Sequence, residues 1–316
     1  MKKVCVIGAG AIGSLYAAHL ARVAEVYLFV RRPEHARALN AEGLRVSGLR
    51  HFHARVRATC DAFDLPQLDL GIVSCKAAQT KAAVRPVASP FRNGVLFSSQ
   101  NGLGCEEMIY EITNSPVIRG TTFMSGVRLS DTEVQFDLDQ PSWMGPFEPS
   151  HTPFSIVKDA AHLIASSGLK AVALEDARPA QWSKLIFNAS VNAVSALAEL
   201  PHSPHFAAEK DFSDLGHLLH DLIEEGKRVA AKLGIRLHED PWEMNKIGAP
   251  TDHVTSMLSD VRSRSLTEVD YLGGAIAREA QRLGVPAPLN TALYRLIKAK
   301  EASWTYAPKA HKSGAG

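Results

Sequence analysis

The chain has 316 residues, more than one ordinary hydrophobic core contains, so we expect about two domains. Hydrophobic residues make up 46% of it and charged residues 22%, a composition typical of globular proteins rather than of disordered ones. The formal net charge is only +2 and the basic residues are scattered, which argues against nucleic acid or an anionic membrane as a partner.

The four cysteines, Cys5, Cys60, Cys75 and Cys105, have no CxxC pair and no other spacing typical of a metal site. Cys5 and Cys75 lie inside apolar runs, where a thiol behaves as a small hydrophobic group. We therefore expect a cytoplasmic protein without a metal. The first residues predict no signal peptide, and no run approaches the roughly 18 apolar residues of a membrane span.

Short apolar runs alternate with helix-compatible stretches in the first half of the sequence. Buried strands are predicted at Val4–Ile7, Val26–Val30, Asp69–Cys75 and Gly94–Ser98, with a helix over Ala11–Ala24. This alternation predicts βαβ units and therefore an α/β fold with a Rossmann-type, doubly wound parallel sheet.

The pattern changes in the second half. Arg119–Phe147 is typical of β-hairpins, and almost everything from Pro179 to Trp304 is helical. We therefore predict three regions: a Rossmann-type cofactor-binding domain at 1–177, an all-helical domain that binds substrate at 178–307, and a flexible tail at 308–316.

The first predicted strand leads into a G-x-G-x-x-G motif formed by Gly8, Ala9, Gly10, Ala11, Ile12 and Gly13. In this motif the first glycine permits the tight turn, the second lets the backbone approach a pyrophosphate, and the third allows close helix–sheet packing. The motif alone is a weak signal, but the strand before it and the helix after it favour a dinucleotide site over a plain strand–turn–helix.

The end of the second predicted strand indicates which dinucleotide is bound. A site for NAD would have an acidic residue there to bind the ribose hydroxyls, whereas this chain has Arg31 and Arg32. Guanidinium groups suit a 2′-phosphate, so we predict NADP, with Arg31 the better placed of the two. The alternative is that both arginines are solvated loop charges.

Lys184, Asn188 and Asn192 recur at every fourth position of an otherwise apolar predicted helix. On a helix these three residues, the polar row, lie within about 80° of one another. Uncompensated amides on a buried helix are costly, so a small polar ligand is the partner we expect. The alternative is the solvent face of an amphipathic helix, although such a face usually carries more flexible charges.

Together with further motifs, these residues resemble the ketopantoate reductase (2-dehydropantoate 2-reductase) family over most of the chain. The segments that carry the resemblance are the glycine motif, Lys76–Gln79, Gln100–Gly102, the polar row, Ser256–Asp260 and Thr267–Tyr271.

The resemblance implies a role for each catalytic and substrate-binding residue. Lys184 would be the proton donor, and Glu268 would lie near the active centre and the cofactor. Asn188, Asn192 and Ser256 would bind the substrate.

The cofactor contacts follow from the same resemblance. Arg31 and Lys76 would contact the phosphates of NADPH, beside the backbone of the glycine motif. Asn101 would contact both the cofactor and the substrate, and Glu268 the cofactor.

The expected activity is therefore reduction of 2-dehydropantoate to pantoate with NADPH, a step in pantothenate and coenzyme A biosynthesis. The expected partner is a small 2-oxo acid. The sequence does not decide whether the protein forms a homodimer. His202 and Ser265 depart from the family pattern, which keeps open a related reductase acting on another 2-oxo acid. A non-catalytic NADPH-binding sensor is the other alternative, although a sensor has no need of a proton donor.

Overall fold

The computed structural model describes residues 2–208, 213–248 and 252–306. The chain divides into two compact units between Lys184 and Leu185. This division lies inside one long helix, Arg178–Ala198, so the same helix contributes residues to both units. The predicted boundary at 177/178 falls at the start of that helix, and the predicted tail at 308–316 lies outside the described residues.

The first unit contains two β-sheets. Its strands are, in chain order, β1 (Lys3–Ile7), β2 (Glu25–Phe29), β3 (Leu44–Gly48), β4 (Phe52–Ala54), β5 (Arg57–Thr59), β6 (Leu70–Val73), β7 (Val95–Ser98), β8 (Val117–Thr122), β9 (Ser125–Arg128), β10 (Glu133–Leu138), β11 (Ser142–Pro146) and β12 (Ala171–Ala173). The larger sheet has the order β12-β11-β8-β7-β6-β1-β2-β5. Every neighbouring pair in it is parallel except β8 with β11. The predicted parallel sheet is confirmed.

Helices cover both faces of this sheet. They are α1 (Ala11–Leu20), α2 (Pro33–Glu42), α3 (Thr80–Val84), α4 (Cys105–Thr113) and α5 (Phe154–Ser166). Along β1, Val4 and Val6 join the core that contains α1 and α5, whereas Cys5 and Ile7 join the core that contains α3 and α4. Because both faces are buried, β1 is a continuous apolar run rather than an alternating one.

The smaller sheet, with the order β4-β3-β10-β9, was not predicted as such from the sequence. Leu44 and Val46 of β3 and Val134 and Phe136 of β10 pack in the same core as α1. Strand β4 has only three residues, and β3 pairs in parallel with the distant β10. The local sequence carries little signal for so short a strand or for a partner so far along the chain, and the sequence therefore did not predict this sheet.

The second unit is helical, as predicted. It contains the end of α6 (Arg178–Ala198) and α7 (Ser213–Lys232), α8 (Pro241–Gly248), α9 (Ser256–Arg262), α10 (Gly273–Leu283) and α11 (Pro288–Ser303). Buried Glu225 of α7 accepts hydrogen bonds from the backbone N–H groups of Leu289 (3.0 Å) and Asn290 (2.9 Å), and so holds the first turn of α11. No helix in the described part of the chain is both long and apolar enough to cross a bilayer.

Candidate functional site

The predicted cofactor residues of the first unit follow the carboxyl ends of four neighbouring strands. Gly8 follows β1, Arg31 follows β2, Lys76 follows β6 and Asn101 follows β7. Strands β7, β6, β1 and β2 are adjacent and parallel, so their carboxyl ends lie along one edge of the sheet. In open α/β sheets this edge is where ligands bind.

The glycine motif has the geometry of a loop that approaches a ligand with its backbone. Gly8 has a φ of +100°, and its N–H donates to Phe29 O at 3.0 Å, which continues the parallel ladder of β1 and β2 to the point where the chain turns into α1. A Cβ on Gly13 would lie 2.0 Å from Gly8 O, so α1 passes the loop too closely for any side chain. A Cβ on Gly10, by contrast, would meet nothing within 4 Å. The loop is therefore tight at its two ends and open in the middle.

The two arginines after β2 have different surroundings. Arg32 is half-buried, and its guanidinium pairs with Asp131 at 2.5 Å and with Glu34 at 3.3 Å. Arg31 is exposed and forms no hydrogen bond or ion pair with any described residue. Arg31 is therefore the guanidinium available to a ligand, whereas Arg32 is already neutralised.

Lys184 is half-buried on α6. Its Nζ donates a hydrogen bond to the carbonyl oxygen of Thr122, the last residue of β8. The same Nζ lies 5.1 Å from the centre of the Phe123 ring, a distance at which the face of the ring attracts a cation. These contacts hold the ammonium in one place.

The two asparagines of the polar row are nearly buried and lack protein partners. Asn188 and Asn192 are each 7% exposed, yet neither side chain forms a hydrogen bond with a described residue. Other polar side chains of α6 do have partners, such as Ser190, whose Oγ donates to Ile186 O at 3.0 Å. Their amide atoms are not among the fully buried unpaired polar atoms of the described residues, so these N–H and C=O groups remain accessible to a small polar ligand.

Asn101 shares this property. It is half-buried, and within the described ranges its side chain forms no hydrogen bond. The residues on either side of it are fixed. Gln100 Nε2 donates to Cys75 O and to Thr80 Oγ1, both at 2.8 Å, and Gly102 O accepts from Gln181 Nε2 at 3.2 Å.

The Thr267–Tyr271 segment is attached to α11 on both sides of Glu268. The N–H and Oγ1 of Thr267 donate to Glu301 Oε1 at 2.9 and 2.7 Å. Asp270 accepts from Tyr294 Oη and Lys298 Nζ, both at 2.9 Å. Thr267 and Asp270 are thus structural, and they fix the backbone that carries the half-buried Glu268.

Ser256 is the first residue of α9 and is exposed. The preceding residue, Thr255, caps α9 by accepting from Leu258 N at 3.2 Å and also donates to Ser195 Oγ at 3.1 Å. Because Ser195 is one helical turn after Asn192 on α6, this hydrogen bond connects the start of α9 to the helix of the polar row.

Sequence reasoning gave no role to several residues that hold the site. Gln181 and Glu301 support Gly102 and Thr267 through side-chain hydrogen bonds. Their partners are distant in sequence, so no local motif could have indicated them. His202, which departs from the family pattern, is only 3% exposed, and its Nε2 hydrogen-bonds to Asn245 Oδ1 at 2.8 Å.

The parallel sheet with its glycine motif and polar-row helix defines the class of dinucleotide-dependent α/β proteins with a helical second unit. Two family models match the chain: ketopantoate reductase PanE/ApbA over residues 4–149, and the C-terminal ketopantoate reductase PanE/ApbA model over residues 176–301. The chain belongs to the ketopantoate reductase family.

Similar proteins span almost the whole chain. The 2-dehydropantoate 2-reductase of Pyrococcus horikoshii is 30% identical and covers 95% of this chain and 97% of its own length. A ketopantoate reductase structure from Ralstonia eutropha JMP134 has a TM-score of 0.86 at 26% identity, covering 96% of this chain and 100% of that one. A ternary structure of D-mandelate dehydrogenase with NADH and anilino(oxo)acetate has the same TM-score at 22% identity, with coverages of 96% and 100%, and so shares the fold.

The unpartnered amides of the polar row lead to a prediction about stability. Asn188→Ala and Asn192→Ala should each change the free energy of unfolding by less than about 1 kcal/mol, because no protein hydrogen bond is lost and alanine favours the helix. Asn245→Ala is the matched control. It removes hydrogen bonds to His202 and to Phe206 O (3.0 Å) and should cost about 2–3 kcal/mol. Denaturant unfolding would measure the three variants, and equal losses would give all three amides a structural role.

Proposed function

We propose that this protein reduces 2-dehydropantoate (ketopantoate) to pantoate with NADPH, as a step in pantothenate and coenzyme A biosynthesis. Membership of the ketopantoate reductase family supports the proposal, as do relatives that match the chain along almost its whole length. The observation that carries it is the polar row, in which an ammonium and two unpartnered amides follow one another along α6.

The polar row suits a small 2-oxo acid. The carboxylate and the keto oxygen accept hydrogen bonds, and a terminal hydroxyl both donates and accepts. The amides of Asn188 and Asn192 offer two N–H donors and a carbonyl acceptor each. We assign substrate binding to Asn101, Asn188, Asn192 and Ser256, with the family resemblance as the reason for the last.

We assign proton donation to Lys184. Reduction of a ketone builds negative charge on its oxygen, and a cationic N–H donor stabilises this charge as it forms. The hydrogen bond to Thr122 O and the Phe123 ring orient the ammonium before substrate binds. The cofactor would supply the hydride that reaches C2, and we assign Glu268 as the second catalytic group, near that cofactor.

The cofactor site fits a phosphorylated dinucleotide. The open backbone at Gly10 can approach a pyrophosphate, and the start of α1, which has no side-chain cap, carries partial positive charge. Arg31, unpaired at the end of β2, is the group we assign to the 2′-phosphate of NADPH. Lys76, half-buried after β6, is assigned to a cofactor phosphate as well.

Arg31→Ala should raise the dissociation constant for NADPH more than about tenfold, because one charge-assisted contact is typically worth about 1.5–3 kcal/mol. The dissociation constant for NADH should change little. Arg32→Ala is the control, and we expect a smaller effect because Asp131 and Glu34 already bind that guanidinium. Fluorescence titration with both nucleotides would measure these values. Equal affinity of the unmodified protein for NADPH and NADH would contradict the proposed specificity.

Lys184→Ala should lower the turnover number by about 10²–10⁴-fold, the usual contribution of general acid catalysis, with NADPH affinity unchanged. Lys158→Ala provides the comparison, since Lys158 is an exposed lysine of α5 whose Nζ lies 5.3 Å from the centre of the Phe154 ring. Each variant removes one positive charge, but only Lys184 is the proposed proton donor. Steady-state and binding assays of both would therefore distinguish the loss of a catalytic group from the loss of a charge. Near-normal turnover of Lys184→Ala would show that another group donates the proton. A water molecule held by Glu268 would then be the next candidate.

The substrate is tested by specificity constants for a panel of 2-oxo acids with NADPH. Ketopantoate should exceed pyruvate and benzoylformate, the oxo acid that corresponds to mandelate, by at least about tenfold. A higher value for another 2-oxo acid would replace ketopantoate with that substrate. NADPH binding without reduction of any member would favour a sensor.

A further inference from the structure

Glu106 is a buried acidic residue that the proposed mechanism does not use. It lies in the first turn of α4, directly after the turn formed by residues 101–104, and is only 1% exposed. Burial raises the pKa of its carboxyl group to about 7, although the nearby Arg119 guanidinium lowers it. Burial of a carboxyl group costs free energy unless hydrogen bonds compensate for the lost hydration, so its contacts are informative.

The amide of Gln181 is the side chain that Glu106 binds. Gln181 Nε2 donates to Glu106 Oε1 at 2.9 Å and to Gly102 O at 3.2 Å, and Gln181 Oε1 accepts from Arg119 Nη1 at 3.1 Å. Both N–H donors and the oxygen of this buried amide are therefore engaged. The Nε2 side of the amide faces two acceptors, and its Oε1 side faces the guanidinium donor of Arg119. A rotation of the amide by 180° would place like groups together, so only one orientation is allowed.

Glu106 does not act as the ion-pair partner of Arg119. The guanidinium of Arg119 pairs with Glu148 at 3.3 Å and donates to Gln181, and no ion pair joins it to Glu106 among the described residues. Arg119 therefore acts on Glu106 by its charge alone, whereas Gln181 is hydrogen-bonded to it directly.

Two groups assigned to the reaction adjoin this amide. Gly102, whose carbonyl oxygen Gln181 holds, is next to Asn101, and Gln181 lies one helical turn before Lys184 on α6. A single side chain thus connects the turn that carries Asn101 to the helix that carries the proton donor. The turn and the residues Gln181 and Lys184 all lie in the first unit.

We propose that Glu106 is a positioning residue for the reductase, and that it sets the relative position of Asn101 and Lys184 by orienting the side chain of Gln181. The inference rests on the proposed function. Small displacements of reacting groups lower the reaction rate strongly, since a displacement of about 1 Å can reduce it about 100-fold.

A double-mutant cycle tests this inference. Glu106→Leu should lower kcat/KM for ketopantoate about tenfold or more, and so should Gln181→Leu. In the Gln181→Leu background, Glu106→Leu should cause no further loss, because the two residues act in series. Glu106→Gln retains a side-chain oxygen that accepts from Gln181 and should recover most of the activity. Glu107→Leu, at the exposed neighbouring position, is the control and should match the unmodified protein.

Hydrogen exchange of the free protein provides a readout that needs neither substrate nor turnover. Exchange at residues 100–104 should become faster in Glu106→Leu and in Gln181→Leu, but not in Glu107→Leu. If the unmodified protein fails to reduce ketopantoate, the proposed function is wrong, and the exchange result still decides whether Glu106 holds this turn. Additive losses in the cycle, or faster exchange confined to α4, would overturn the inference.

Discussion

Parallel pairing of β7, β6, β1 and β2 is the constraint on which the site of the first unit depends. Since parallel strands all point the same way, the residues after each strand come together at one edge, although they are far apart in the sequence. This edge brings together the glycine motif, Arg31, Lys76 and Asn101. Burial of β1 on both faces and the close passage of α1 over Gly8 keep the edge rigid.

Helix α6 carries the polar row, to which we assign substrate binding and proton donation. It is a largely apolar helix of 21 residues, and most of its polar side chains are hydrogen-bonded within the protein. Asn188 and Asn192 are the exceptions, since neither amide forms a hydrogen bond within the part of the chain that the structure describes. Lys184 is different because Thr122 and Phe123 hold it in place. Its position is therefore fixed within the protein itself, as preorganised electrostatic stabilisation by the proposed proton donor would require.

Residues that anchor one segment to another explain much of the motif pattern. Thr267 and Asp270 attach their segment to α11, and α11 is itself held at its first turn by Glu225. Thus the Thr267–Tyr271 segment contains one candidate catalytic residue, Glu268, and two anchors. Gln181 has a comparable role beside Asn101. The positions of the candidate site residues depend on the hydrogen bonds that these supporting residues form.

The sequence by itself determined the features that depend on local order. Apolar runs predicted the buried strands, the glycine motif predicted the tight turn before α1, and four-residue spacing placed Lys184, Asn188 and Asn192 on one side of a helix. Tertiary structure decided what depends on distant partners. Asp131 binds Arg32 and leaves Arg31 available, β10 pairs with β3, and Gln181 reaches Glu106. No pattern in a single segment records such pairs, because each contact exists only after folding brings its two residues together.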